Sequence, residues 1–272
     1  MIKKIFESIW LFLFAHAKMQ RWNQYLLNLA QKNLGINNYN SDRISGEIFW
    51  TKFVLDNYQP NVVFDIGAHI GDYTSLLRQS GYKKTIFLFE PHPKTYANLA
   101  DKVMPDQFTH LFNIGFSDSR NVSLIFDYPE NDKNSGSPHA SLYSEVITDL
   151  HGAKETLGIE IKLRTLDDFV EDQKLNHISL LKIDTEGNEY PILKGAKKLL
   201  EEDRIDLLQF EFGEMNVVSK YFFKDFFDLL HNKYKLYRLL PTGLLPIEKY
   251  NARHHEIFIY QNIVGIHRKL FK

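Results

Sequence analysis

The chain contains no cysteine. That absence excludes disulfides, thiolate metal sites and a cysteine nucleophile together, and it fits a cytoplasmic location. An excess of charge is also missing: 33 Lys and Arg face 34 Asp and Glu, for a net charge of −1. Nucleic-acid binders carry a basic stripe, so nucleic acid is not expected as a partner. No apolar run is long enough to span a bilayer. What is present is an ordinary globular balance, 44% hydrophobic and 25% charged, over 272 residues, enough for one large domain with an extension. Phenylalanine leads the aromatics, so the core can spare aromatic faces for a ligand pocket.

The first residues are the least ordinary part. Lys3 and Lys4 precede an apolar run from Ile9 to Ala15, and Ala15-His16-Ala17 has the look of a small-residue cleavage site. The run is short for a signal peptide, and Glu7 lies within the wider apolar stretch. Ile2, Ile5, Phe6, Ile9, Trp10, Leu13 and Ala17 recur at helical spacing, which predicts an amphipathic helix. Its expected role is packing on the domain or on a second copy, giving a homodimer. Contact with a membrane surface is the alternative, making the protein peripherally membrane-associated. Helices over 1–33 and 46–57, joined by an Asn-rich loop at 35–42, make residues 1–58 a helical extension and 59–272 the main domain.

From residue 61 the pattern changes to alternating strands and helices. Strands are predicted at 61–66, 85–90, 108–114, 122–126, 160–164, 178–183, 205–212, 233–240 and 255–261. Helices follow the loop at 67–71, Pro93, Leu166 (capped by Thr165), Pro191 and Ser219. Residues 131–138 read as a polar loop. Continuously apolar strands separated by helices mean a parallel sheet covered on both faces. The last two strands flank Gly243 with no long helix between them, which predicts a hairpin. The expected fold is a Rossmann-like α/β sheet of seven strands, mostly parallel, ending in an antiparallel C-terminal hairpin. That is the layout of class I methyltransferases that use S-adenosylmethionine (SAM).

Asp65-Ile66-Gly67-Ala68-His69-Ile70-Gly71 sits between a strand and a helix, where the chain must turn sharply and approach a ligand. The spacing is G-x-x-x-G, without the middle glycine that admits a pyrophosphate. SAM carries an ammonium and a carboxylate instead of phosphate. Asp65 suits the ammonium, and the amides opening the next helix suit the carboxylate. Glu90 ends the next strand, where its carboxylate can accept both ribose hydroxyls and would repel a 2′-phosphate. Gly115, Phe116 and Ser117 follow the third strand and are candidates for adenine contacts.

Together, Val63 to Tyr73, Phe89-Glu90-Pro91-His92-Pro93, Thr165-Leu166-Asp167, Leu181 to Glu189 and Leu193-Lys194-Gly195-Ala196 resemble the FkbM family of SAM-dependent methyltransferases. The resemblance covers about residues 45–263, and Lys182-Ile183-Asp184-Thr185-Glu186-Gly187 is its most specific part. His69 stands where the family usually has Asn, and can still donate to the SAM carboxylate. The resemblance implies O-methylation of hydroxyls on carbohydrates, polysaccharides, lipids or macrolide-type products. The partner it implies is a carbohydrate or glycoconjugate acceptor.

A sugar hydroxyl is a poor nucleophile and needs a base or a cation that lowers its pKa. Asp184 and Glu186 end the fourth strand of the parallel core. If strand alternation continues through Thr185, both point the same way, and Asp184 serves both cofactor and chemistry. The two could also hold Mg²⁺ or Ca²⁺, although no metal site is assigned. Glu211 ends the following strand, near Asn216, and can bind acceptor hydroxyls. His139, in a loop long enough to act as a lid, is a candidate general base. His254-His255 is half a metal site without completion, and the Phe-rich stretch 221–227 reads as core. N-methylation, a lipid-linked acceptor and a non-enzymatic nucleotide-binding module are the competing readings.

Overall fold

A computed structural model describes residues 2–103, 106–129 and 136–271. The strands are β1 (Val62–Ile66), β2 (Thr85–Phe89), β3 (Thr109–Phe112), β4 (Gly115–Phe116), β5 (Asn121–Asp127), β6 (Leu157–Arg164), β7 (Ile178–Ile183), β8 (Ile205–Phe212), β9 (Tyr234–Leu240), β10 (Gly243–Ile247) and β11 (Gln261–His267). Eight of them form one sheet in the order β10-β9-β11-β8-β7-β1-β2-β3. The run from β8 to β3 is parallel, while β11 is antiparallel to both β8 and β9. This is the mostly parallel, Rossmann-like α/β sheet anticipated from the sequence.

Three details differ from expectation. The final strand lies at Gln261–His267 rather than 255–261, because Asn251 caps a helical turn, Ala252–His255, with its side chain accepting from Arg253 N. The hairpin is formed by β9 and an unanticipated β10, so the sheet has an eighth strand at its edge. Pro246 inside β10 obscured it; a strand proline lacks a donor, and only an edge position tolerates that. Third, β5 and β6 do not join the main sheet. With β4 they form a separate sheet in the order β4-β6-β5. Of the polar loop expected at 131–138, only residues 136–138 fall among those described.

Successive residues of β1 point to opposite faces, and both faces are covered. Phe64 and Ile66 pack with Phe89, Phe169, Ile192 and Phe210 on one side. Val63 packs with Leu77, Leu88, Leu99, Trp50 and Val54 on the other. Double coverage is why these strands read as unbroken apolar runs. Trp50 and Val54 lie on the helix Glu47–Asn57, so this part of the helical extension packs directly on the sheet.

The first helix, Ile2–Phe14, has no buried residue, and neither does the next, Gln20–Asn33. Ile2, Ile5, Phe6, Ile9, Leu11, Phe12 and Leu13 are all exposed. The expected packing of this helix on its own domain is therefore not found. Among the described residues no helix is long and apolar enough to cross a membrane.

The site follows from topology. Strand order reverses between β1 and β7, and open α/β sheets bind ligands at the carboxyl ends of strands beside such a reversal. The register aligns Ile66 with both Phe89 and Ile183, so the loops after β1, β2 and β7 emerge side by side.

Candidate active site

Two cavities open at this edge. One, with about 590 Å³ of open space, is lined by Ile66, Gly67, His69, Glu90, Pro91, Gly115 and Phe116, and by apolar side chains of the small sheet, among them Ile125, Ile161 and Leu163. The other, about 850 Å³, is lined by Glu47, Asp72, Tyr73, Lys182, Glu211 and Tyr260 among others. Gly67, His69, Pro138, Asp184 and Glu186 line both and mark their junction.

The loop after β1 is shaped by contact with the loop after β7. Gly67 has φ 76°, and a Cβ there would lie 1.7 Å from the carbonyl oxygen of Asp184. No other residue type fits that approach. Gly71 is not at either cavity. Its place is packing, since a Cβ there would strike Val103 and Leu99. Asp65 is likewise withdrawn from both cavities. It is wholly buried; its carboxylate accepts from Thr74 Oγ1 at 3.0 Å and pairs with Lys182 Nζ at 3.4 Å. The ammonium partner expected of Asp65 is already supplied by the protein. Lys182 also reaches Asp184 at 3.2 Å. Burial alone would lower the lysine pKa, but Asp184, Asp65 and Glu47 together outweigh it and hold the pKa above its ordinary value.

Glu90 stands where expected, at the floor of the apolar cavity. Its Oε2 accepts from His69 N at 3.0 Å and its Oε1 from His92 N at 2.9 Å. Each oxygen keeps a lone pair for a further donor. Burial raises its pKa to about 7, against the pull of those two amides. His69 has a left-handed backbone, φ 47°, and its Nε2 is buried without a partner at the junction. An orphaned ring nitrogen beside open space is what a ligand's carboxylate would satisfy. Gly115 and Phe116 line the apolar cavity; a Cβ on Gly115 would meet Leu163 Cδ2 at 2.7 Å. Phe116 also packs edge-on against Phe89, with centroids 4.8 Å apart. Ser117 is not brought to the cavity. Its amide instead donates to Arg164 O, pinning β4 to β6.

Asp184 and Glu186 both face the junction, but not by strand alternation. β7 stops at Ile183, and Glu186 turns its side chain inward through a left-handed backbone, φ 54°. Glu189 holds this turn. Wholly buried, it accepts from Thr185 N, Thr185 Oγ1 and Gly187 N, and burial raises its pKa to about 7. Asn188 Nδ2 donates to Phe116 O at 2.7 Å, tying the turn to the apolar cavity. His139 does meet the site, with Nδ1 3.7 Å from Glu186 Oε1. The Glu186 carboxylate beside it raises its pKa despite partial burial, whereas burial raises that of Glu186.

Glu211 ends β8 inside the second cavity, and burial pushes its pKa well above the ordinary carboxylate value, with Asp184 and Glu186 adding to the rise. Asn216 is turned away, accepting from Gly213 N. His255 faces the Asn251 turn, whose N–H donates to its Nδ1, and joins no metal cluster among the described residues.

Residues the sequence reasoning missed complete the second cavity. Glu47 accepts from Gln209 Nε2 at 3.1 Å, and burial raises its pKa to about 7. Gln209 in turn accepts from Tyr73 OH at 3.0 Å. The signal for Lys182 was available: a lysine inside an otherwise apolar, doubly covered strand needs a buried partner. Glu47 gave none, because a helix-opening glutamate is an ordinary surface residue.

Residues 65–239 match the model of the methyltransferase FkbM domain. The chain is similar to Methyltransferase 1 of Beauveria bassiana, 28% identical over 162 residues, covering 54% of this chain and 61% of that protein. It is also similar to the 2-O-methyltransferase NoeI of Sinorhizobium fredii, 28% identical over 165 residues, covering 57% and 65%. The chain thus spans less than two thirds of the length of either relative. Among solved structures, an rRNA methylase from Streptococcus thermophilus superposes with a TM-score of 0.44 at 14% identity, covering 84% of this chain and 98% of that one.

Proposed function

The chain belongs to the FkbM methyltransferase family, and from that premise we propose that it transfers a methyl group from SAM to a hydroxyl of a carbohydrate or glycan precursor. The observation that carries this reading is the pair of cavities with a shared wall. One is largely apolar, with Glu90 the carboxylate it does not share; the other adds Glu47, Asp72 and Glu211 to the shared Asp184 and Glu186. An adenosine fits the first chemistry and a polyhydroxylated acceptor the second.

On this reading Glu90 holds the ribose diol, Phe116 and the small-sheet side chains enclose the adenine, and His69 meets the carboxylate. When bound, SAM supplies a methyl already activated on a sulfonium, so the chain has to position and deprotonate the acceptor. Asp184, at the junction and paired with Lys182, takes the hydroxyl proton. Glu211 and Glu47 bind neighbouring hydroxyls. Calorimetric titration with SAM, with NAD as control, tests the cofactor. Conversion of SAM to S-adenosylhomocysteine across a panel of glycan acceptors tests the substrate class. Binding of NAD but not SAM, or turnover confined to amine acceptors, overturns it.

A second reading is favoured by the N-terminal helices. An acceptor carried on a lipid would be met at a membrane surface, and residues 2–33 hold exposed Ile5, Phe6, Ile9, Trp10 and Phe12 with Lys3, Lys4, Lys18, Arg21 and Lys32 against the single acid Glu7. Full-length protein should then co-sediment with anionic vesicles and not with neutral ones. No sedimentation with either removes this version.

A further inference from the structure

Outside the carboxylates already assigned, one cluster has the composition of a metal site and touches the junction through Glu186. His139, His151 and Glu186 bring one ligand atom each to within 4.8 Å of one another. The two imidazoles stack with centroids 4.1 Å apart and planes 30° from parallel, and Glu186 Oε1 lies 3.7 Å from His139 Nδ1. Three ligands at bond lengths of roughly 2.0–2.1 Å around one ion sit about 3.4 Å apart. The cluster is therefore open by up to about 1.4 Å, within reach of side-chain rotation. His151 is exposed and ends the helical turn Val146–Leu150.

The surrounding backbone is arranged to present these groups. Glu186 adopts φ 54°, a left-handed backbone that strains a non-glycine residue and persists only where neighbours enforce it. The enforcement is visible: Ser141 Oγ donates to Glu186 O at 2.7 Å, and Glu189 holds both Thr185 N and Gly187 N. Ser137 Oγ accepts from His139 N at 3.0 Å, fixing that loop against the same wall. The stacked rings have to turn out of their present arrangement for both ring nitrogens to face one ion, and the exposure of His151 leaves room for that turn.

We propose that His139, His151 and Glu186 bind a divalent transition-metal ion at the junction of the two cavities. Two imidazoles and one carboxylate select zinc or a neighbouring first-row ion over Mg²⁺ or Ca²⁺, which prefer all-oxygen shells. Three protein ligands leave a position open, and Glu186 lines the acceptor cavity. An acceptor hydroxyl in that position would lose its proton more readily, with Asp184 beside it to receive the proton. This catalytic role rests on the methyl-transfer reading above; the binding of metal does not.

The test is metal binding by the untagged full-length chain after chelator treatment, followed with Zn²⁺ calorimetry and the visible absorption of Co²⁺. One ion per chain is expected, with a Co²⁺ spectrum of low coordination number and no competition from millimolar Mg²⁺. His151→Ala and His139→Ala should each weaken binding at least tenfold while far-UV circular dichroism stays native. His254→Ala/His255→Ala should leave binding unchanged. Absence of a one-to-one Zn²⁺ complex in the parent chain overturns the proposal. So does unchanged affinity in His151→Ala, or binding lost only in the His254/His255 variant. Because these readouts need neither SAM nor an acceptor, failure here is distinguishable from failure of the methyl-transfer reading.

Discussion

Lys182 Nζ lies 3.4 Å from Asp65 Oδ1, and both side chains are buried. The aspartate that precedes the glycine loop therefore faces inward, to a lysine on the neighbouring strand, and positions that loop without touching a cavity. Breaking a buried pair leaves one charge unpaired, which costs about 3–5 kcal/mol. Lys182→Met should lower stability by that amount in denaturant unfolding. Asp65→Asn should also lower the melting temperature, yet leave SAM affinity in the surviving folded fraction within about threefold. A tenfold or larger loss of affinity in Asp65→Asn would restore Asp65 to direct ligand contact.

Glu90 makes the opposite prediction. Its two oxygens hold His69 N and His92 N and still face the apolar cavity. Charge-assisted hydrogen bonds contribute about 1.5–3 kcal/mol each. Glu90→Ala should therefore weaken SAM binding about a hundredfold, and Glu90→Gln, which keeps one acceptor oxygen, about tenfold. With a pKa raised to about 7, the carboxylate is better charged as pH climbs, so wild-type affinity should strengthen between pH 6 and 8. Equal affinities for wild type and Glu90→Ala in calorimetry would remove the ribose assignment.

The contrast between Asp65 and Glu90 shows what the sequence could convey. Strand ends, the glycine loop and the strand reversal follow from local patterning, so the sequence places Gly67, His69, Glu90 and Asp184 together at one rim, where they line the apolar cavity. Which way a strand-end carboxylate points depends on its neighbour across the sheet. Asp65 is claimed by Lys182, which lies opposite it in register but 117 positions along the chain. Ser117 was misplaced for the same reason: its backbone belongs to a second sheet whose pairing is non-local. Glu47 enters from a helix outside the glycine-loop frame, and His151 comes from a turn whose partner, His139, is only a loop histidine in the sequence. Neither has a motif of its own.

Stability should fall as the pH rises from the acid side through neutrality and level off above it. Glu47, Glu90 and Glu189 all have folded pKa values of about 7, raised by burial from the ordinary 4.5. A carboxyl that ionises less readily folded than unfolded stabilises the fold fully below the unfolded value. That contribution is lost as pH rises through the folded value. His255, lowered to about 4 by burial, acts oppositely, but only below its ordinary 6.5. Thermal melts of ligand-free protein should therefore show a melting temperature that falls from pH 6.5 and has levelled off by pH 8.5. SAM would relieve part of that fall by giving Glu90 hydroxyl donors. A melting temperature that rises across this range would mean that the three carboxyls are solvated or paired more strongly than their burial indicates.

Glu211 separates binding from proton transfer. It is buried at the end of β8 with no hydrogen-bond partner of its own among the described contacts, and burial, then Asp184 and Glu186, push its pKa well above the ordinary range. That rise favours the protonated form, in which Glu211 would donate to an acceptor hydroxyl, as a carboxyl kept neutral by its surroundings does. Glu211→Gln preserves size and a donor, so kcat and acceptor KM should stay within about threefold of wild type. Glu211→Leu removes the polar group from the cavity proposed to hold acceptor hydroxyls, and should raise acceptor KM about tenfold while SAM affinity is unchanged. If Glu211→Gln instead loses kcat as completely as Glu211→Leu, the ionised carboxylate is what the reaction needs. Proton acceptance would then move from Asp184 to Glu211.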